Sequence, residues 1–400
     1  IDTWKLLLIC VPSLELVEQW EADVRLFYPN TPIIKCGSPY RGHKELLKSL
    51  TQARFPEQVV VISTYDSAQG DYYMSKWRLA KSEQFAMICD EVHNMGAPKS
   101  QCLMELNPAY RIGLSATPRR NFDEIGSEKI LDFYHQNTFE FSIKDAQREH
   151  YLVEYQYRIL PCAMPEEDWE LYKTFSREIV QLQHTLEQED NEKEQLRLRQ
   201  RIEGRYRDRA KLLKKNDQKA QTLQTIFDEI PPTARVLIYG DDLHHLAEIG
   251  QALDHMGKYY FKYTGELDAQ KERPTILKEF RQGIRKILLA VGCLDEGIDI
   301  PACDVAVFIS SSTSERQFIQ RRGRVLRVAP GKTSAWIYDY LLYPILSART
   351  NDDERRLALS MIDAQYRRIN LMVEDAINGI QERQKLDQFL SQRRLNPYDF

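Results

Sequence analysis

No two cysteines of this chain stand in a C-x-x-C pair; Cys10, Cys36, Cys89, Cys102, Cys162, Cys293 and Cys303 are scattered. That spacing argues against a zinc ribbon and against a disulfide framework, and it fits a reducing compartment, read as cytoplasmic. No apolar run approaches the ~20 residues needed to cross a bilayer, so no membrane association is expected. The opening IDTWKLLLICVPSLELVEQW lacks a basic region followed by an apolar core and a cleavage site, so no signal peptide is read. Charge of one sign is missing too. Lys and Arg total 55 against 59 Asp and Glu, a net charge of -4. A uniformly basic coat is excluded, and any nucleic-acid contact must be a local groove on a nearly neutral body.

What is present is apolar content of 42% in 400 residues, enough for two or three cored domains. Short apolar bursts alternate with helical stretches in two series. The first contains KLLLICVP (5–12), VVVIST (59–64), FAMICDE (85–91) and RIGLSAT (111–117). The second contains RVLIYGD (235–241), YYFKYTG (259–265), KILLAVG (286–292), DVAVFISS (304–311) and SAWIYDY (334–340). Continuous apolar bursts ending in small or polar residues read as parallel strands buried on both faces, with function at their carboxyl ends. The fold class is therefore α/β, with two parallel sheets.

Residues 1–145 are expected to form the first α/β domain and 233–345 the second, with Pro231-Pro232 at the boundary. Residues 146–232 are read as linker and helical insert. EEDWELYKTFSREIVQLQHTL is amphipathic, and the charged EQEDNEKEQLRLRQRIEGRYRDRAKLLKK reads as a solvated helix or helical hairpin. Its basic half is either a nucleic-acid contact or a solvated face. Residues 346–400 are expected to be a helical tail that docks or links. Insert and tail are the candidate surfaces for protein partners. His244 and His245 are expected to be surface residues at a helix start.

Asp90-Glu91-Val92-His93 follows the burst FAMIC. A strand presenting two adjacent acids at its carboxyl end can aim one at a nucleotide-bound Mg²⁺ and the other at an attacking water. The bland alternative is two exposed acids in a turn. Ser115-Ala116-Thr117-Pro118 closes the next burst, which brings hydroxyls near those acids. In Gln320-Arg321-Arg322-Gly323-Arg324-Val325-Leu326-Arg327, arginines three apart are expected on one helical face, where they can reach one anionic target. Leu294-Asp295-Glu296-Gly297-Ile298-Asp299-Ile300-Pro301 precedes it, with Gly297 allowing a tight loop.

Together and in this order these segments resemble the superfamily 2 helicases and translocases, nearer to the XPB-like and restriction-enzyme-like branches than to DEAD-box members. LLICVPSLELVEQW (7–20) resembles motif Ia and STYDSA (63–68) the next nucleic-acid-contacting motif. DEVH (90–93) resembles motif II, SAT (115–117) motif III and VLIYGDD (236–242) motif IV. YTGELDAQKER (263–273) resembles the segment after it, LDEGIDIP (294–301) motif V and QRRGRVLR (320–327) motif VI. The resemblance implies two RecA-like domains and ATP hydrolysis between them with Mg²⁺.

By this resemblance Asp90 would hold the metal through water and Glu91 would be the general base. His93, Ser115 and Thr117 would couple the nucleotide site to motif VI. Arg324 and Arg327 would be arginine fingers, supported by Gln320 and Arg321, while Gly297 and Asp299 would shape the nucleotide-binding motif V loop. Pro12, Ser13, Ser63, Thr64, Thr264, Gly265 and Cys293 would follow nucleic-acid phosphates, most simply those of double-stranded DNA.

Two departures stand out. The family's G-x-x-x-x-G-K-[ST] loop does not occur in these residues, and Gly331-Lys332-Thr333 is a lookalike that leads into a strand. The chain is therefore expected to be a piece of a longer ATPase, not hydrolytic by itself. Val291 stands where many relatives carry a Thr that touches the nucleic-acid backbone. The alternatives are a non-hydrolytic nucleic-acid-binding scaffold, or the helicase subunit of a bacterial restriction or anti-phage complex.

Overall fold

The structure is a computed structural model describing residues 4–37, 40, 58–117, 119, 123–214, 217–265, 267, 272–291, 303–310, 315–347 and 349–396. It divides into two compact units, Ile1–Glu140 and Phe141–Phe400. Both are α/β units with parallel sheets, as expected.

In the first unit, β1 (Leu6–Val11), β2 (Ile33–Cys36), β3 (Val59–Thr64), β4 (Phe85–Cys89) and β5 (Tyr110–Gly113) form one sheet in the order β2-β3-β1-β4-β5. All its pairings are parallel. Every residue of β1 and β3 is buried. Successive side chains of a strand point to opposite faces, and both faces are covered here. Leu6, Leu8 and Cys10 enter one core while Leu7, Ile9 and Val11 enter the other. That two-sided burial is why the sequence reads as an unbroken apolar burst. Cys10 pairs with both Ser63 and Cys89, so β1, β3 and β4 end together at one carboxyl edge.

In the second unit, β6 (Glu154–Met164), β7 (Val236–Tyr239), β8 (Phe261–Tyr263), β9 (Ile287–Ala290), β10 (Val305–Phe308) and β11 (Ser334–Pro344) form a sheet ordered β6-β11-β10-β7-β9-β8. Strand β6 falls in the stretch read as linker and insert. It is an edge strand whose burial alternates, and it carries Pro161, which an edge tolerates. Alternation plus proline hid it from a search for continuous bursts. The short β2 was missed as well.

The charged insert folds as two helices, Glu166–Glu187 and Glu192–Lys214, packed against each other. Arg205 pairs with Glu178 at 2.5 Å and Gln183 donates to the Tyr206 hydroxyl at 3.1 Å across them. The described part of the expected helical tail is helical. Helices Asp352–Val373 and Gly379–Ser391 bury Met361, Ile362, Tyr366, Ile369, Leu386 and Leu390 in the core of the second unit. The pair at 244–245 splits. His244 is exposed, but His245 is buried, with Nδ1 accepting the Asp241 N–H at 3.3 Å. A helix puts adjacent residues about 100° apart, so one of two neighbours faces the core.

Candidate functional site

In the first unit Asp90 and Glu91 leave the carboxyl end of β4, held by β1 through the Asp90 N–H donated to the Cys10 carbonyl at 2.8 Å. The Trp20 indole N–H donates to Asp90 Oδ2 and the Glu91 N–H to Asp90 Oδ1, both at 2.9 Å. The Tyr65 hydroxyl donates to the Asp90 carbonyl at 2.8 Å. Burial pushes the Asp90 carboxyl above its ordinary range, the Trp20 hydrogen bond pulls it back, and the Glu91 charge raises it further. Each Asp90 oxygen accepts one N–H and keeps lone pairs for a further donor.

Glu91 adopts a left-handed backbone, φ 47 and ψ 54, from which the helical turn Val92–Gly96 begins. Non-glycine residues adopt that conformation at a cost, and it turns the chain sharply at the strand end. The turn is fixed by the Asn94 side-chain amide and N–H, which donate to the Glu91 carbonyl at 3.0 and 2.9 Å. It brings His93 Nδ1 to 3.3 Å from Glu91 Oε2 and 3.5 Å from Ser115 Oγ. Ser115 Oγ donates to the Thr117 carbonyl at 2.8 Å. The three residues expected to couple the site, His93, Ser115 and Thr117, thus form one contiguous group with Glu91.

The expected phosphate-following residues of this unit lie along the same edge. Ser13 caps helix Leu14–Phe27 by accepting the Leu16 N–H at 3.4 Å, directly after Pro12. Thr64 Oγ1 accepts the Ser67 N–H at 3.4 Å, and Ser63 donates to the Thr64 carbonyl at 3.1 Å. Both Ser63 and Thr64 are buried.

In the second unit Gln320, Arg321 and Arg324 stand on helix Glu315–Val325. The expectation of one helical face for all three spaced arginines is corrected at Arg327. The helix ends at Val325, and Arg327 forms an isolated antiparallel bridge with Leu152. The Lys332 ammonium, buried beneath, donates to the Val325 and Arg327 carbonyls and so stops the helix. This also accounts for the GKT lookalike. Gly331 occupies a turn at φ 77 and its lysine supports backbone, ahead of β11.

Arg321 is 5% exposed. Its guanidinium lies 4.7 Å from the Tyr239 ring centre and donates to the Ser310 carbonyl at 3.4 Å. Thr264 is buried at the carboxyl end of β8, and the Gly265 carbonyl accepts from Arg273 at 2.8 Å. Cys293, Gly297 and Asp299 lie outside the described residues.

Sequence reasoning missed Trp20 and Tyr65, the two side chains that fix Asp90, and it treated Arg322 as one more cation in a run. A tryptophan six residues into the helix after β1 was the available signal for the first; nothing local singled out the others.

A cation at Asp90 fits the donor set. Mg²⁺ keeps several waters and takes one or two carboxylates together with phosphate oxygens. Among the described residues no group of three or more His, Cys, Asp or Glu side chains could hold a metal without such a ligand.

Comparison with known proteins agrees with this fold. The family model described as "Type III restriction enzyme, res subunit" matches residues 3–120, and "Helicase conserved C-terminal domain" matches 218–329. The two matches together support a superfamily 2 helicase core in this chain. It is 23% identical over 342 residues to the DNA 3'-5' translocase XPB2 of Sulfurisphaera tokodaii, covering 80% of this chain and 69% of that protein. It is 25% identical over 332 residues to a putative DNA 3'-5' helicase Rad25 of Haloarcula marismortui, covering 80% of this chain and 44% of that protein. The ATP-dependent Type ISP restriction-modification enzyme LlaBIII bound to DNA shares the fold at a TM-score of 0.56 and 16% identity, over 91% of this chain and 26% of that one. Among the described residues no helix is long and apolar enough to cross a membrane.

Proposed function

We propose that the complete protein is an ATP-dependent translocase or helicase acting on DNA, most simply duplex DNA, with residues of both units acting on one nucleotide. The observation that carries this reading is the strand-end pair Asp90-Glu91 with His93 and Ser115 gathered beside it. Asp90, fixed by Trp20 and its neighbour's N–H, would hold Mg²⁺ through water. Glu91 takes the proton of the attacking water, since a carboxylate within hydrogen-bond reach serves as general base. Bound MgATP supplies the transferable γ-phosphoryl group and its charge. Arg324 and Arg327 stabilise that charge as it develops, the part arginine fingers play in phosphoryl transfer.

His93, paired with Glu91 and Ser115, reports occupancy of the acid site to the rest of the unit. Pro12, Ser13, Ser63, Thr64, Thr264, Gly265 and Cys293 follow the phosphate backbone, and such contacts carry little sequence information. Asp299 and Gly297 shape the nucleotide loop. The restriction-type family match supports a finer reading, a motor subunit of a restriction or anti-phage system.

The test is ATP turnover by the complete protein with single-stranded DNA, duplex DNA and RNA as cofactors. Glu91→Gln and Arg327→Ala are expected to lower DNA-stimulated kcat by about 10³-fold or more while sparing DNA binding. Unchanged turnover in both variants would overturn the assignment.

A further inference from the structure

The arginine two residues before the first expected finger has a different job. Arg322 is 5% exposed. Its Nη1 donates to the Leu371 carbonyl at 2.7 Å and to the Tyr155 hydroxyl at 3.2 Å, and it lies 3.1 Å from Asp375 Oδ2. Tyr155 belongs to β6 and in turn donates to the Met372 carbonyl at 2.5 Å. Leu371 and Met372 are the last-turn residues of helix Asp352–Val373, where unpaired carbonyls and the negative end of the helix favour a cation. A second tie joins the same two helices. Arg368 stacks 4.9 Å from the ring centre of Phe318, on the arginine-bearing helix, while its Nε holds buried Asp339 at 3.0 Å.

None of the bracing partners lies within residues 218–329, the stretch that matches the family's C-terminal model, except Phe318. Asp375, Leu371 and Tyr155 grip the helix through Arg322, and Arg368 does so through Phe318; all four come from flanking segments.

We propose that Arg322 and Asp375 are positioning residues. By clamping helix Glu315–Val325 to the end of helix Asp352–Val373, they set the place from which Arg324 and Arg327 reach the γ-phosphate. This rests on the ATPase reading above. Arginine carries about 2 kcal/mol of rotamer entropy, so a finger is aimed by fixing the backbone beneath it. Misplacement by about 1 Å can lower a rate by about 10²-fold.

The experiment uses the complete protein and four variants: Asp375→Ala, Arg322→Met, Lys144→Ala and Arg324→Ala. Lys144 is the exposed second partner of Asp375, at 3.9 Å, and serves as control. Asp375→Ala is expected to lower DNA-stimulated kcat by about tenfold, with the KM for ATP and DNA affinity unchanged and with faster amide exchange in residues 315–325. Arg322→Met should do the same if it folds, and the double variant should be no slower than the single ones. Lys144→Ala should match the parent.

A lower melting temperature with unchanged kcat in Asp375→Ala, measured well below the transition, would overturn the proposal and leave a merely structural contact. The underlying reading fails separately. If Arg324→Ala keeps full turnover there is no finger to position, whatever Asp375→Ala does.

Discussion

Among its described residues the first unit buries no charged side chain. Its buried polar groups are the hydroxyls of Ser63, Thr64, Ser100 and Ser127. The second unit buries Lys219, His245, Arg321, Arg322, Lys332, Asp339 and Glu382. In the first unit Asp90 and Glu91 follow the carboxyl end of a parallel strand, and in the second Gln320, Arg321 and Arg324 stand on a helix after β10. On the proposed reading the difference follows from what each must hold. Carboxylates are short, so a strand end and a sharp turn place them within hydrogen-bond distance of their partners. Guanidinium groups sit on long, rotamer-rich stems, so the helix beneath them has to be immobilised. In the second unit that is done with buried ion pairs and lysines bonded to carbonyls. Such pairs are expensive to desolvate and expensive to break.

The contrast can be broken most forcefully at Asp339. This carboxylate is fully buried and is held by Arg368 at 3.0 Å and the Tyr157 hydroxyl at 2.8 Å. Arg368→Met leaves it without its cation, and the second unit is expected to lose about 3–5 kcal/mol in urea unfolding. A loss below about 1 kcal/mol would mean the pair is effectively solvated, and the distinction between the units would lapse.

A second, intermediate effect concerns pH. Lys219 is fully buried and donates to the carbonyls of Leu213 at 2.7 Å and Ile309 at 2.9 Å. Burial pushes its ammonium down to about 7, and the nearby Arg368 charge lowers it further. Above that value the folded state releases a proton that the unfolded chain still holds. Stability of the second unit should therefore rise between about pH 7 and 8.5, by at most about 1.4 kcal/mol per unit. At higher pH the buried cysteines and tyrosines, whose pKa values are raised by burial, oppose the gain. Lys219→Met should flatten the rise, read from urea midpoints across that range. An unchanged slope would remove Lys219 as its source.

The smallest effect sharpens the contrast from the first unit. Glu91 pays for its left-handed backbone, so Glu91→Gly should stabilise that unit by up to about 1 kcal/mol while abolishing turnover. Exchange of β1 and β4 amides would show it. Equal or lower protection in the variant would mean the turn is not strained.

How much of this was legible follows from the same physics. β1, β3 and β4 could be read almost to the residue because burial on both faces writes an unbroken apolar run. The acid pair was legible because strand and motif are contiguous. Strand β6, half-buried and interrupted by Pro161, carries no such run. Trp20 reaches Asp90 across 70 residues, and Arg322 meets Asp375, which lies in a segment outside the family match. In sequence Arg322 is chemically identical to its neighbours. Only packing separates an arginine that faces a ligand from one that anchors a helix. His245 shows the same limit, since an adjacent pair gives no sign of which member turns inward.

The buried ammonium of Lys332 makes the stretch from Leu326 to Gly331 a tether of fixed length. One end is pinned where the helix stops, the other where β11 begins. On the proposed reading, a single residue inserted there would carry Arg327 off its mark with every motif letter still in place. Alignments that open gaps freely in that stretch would score such a chain as whole when its aim had been lost.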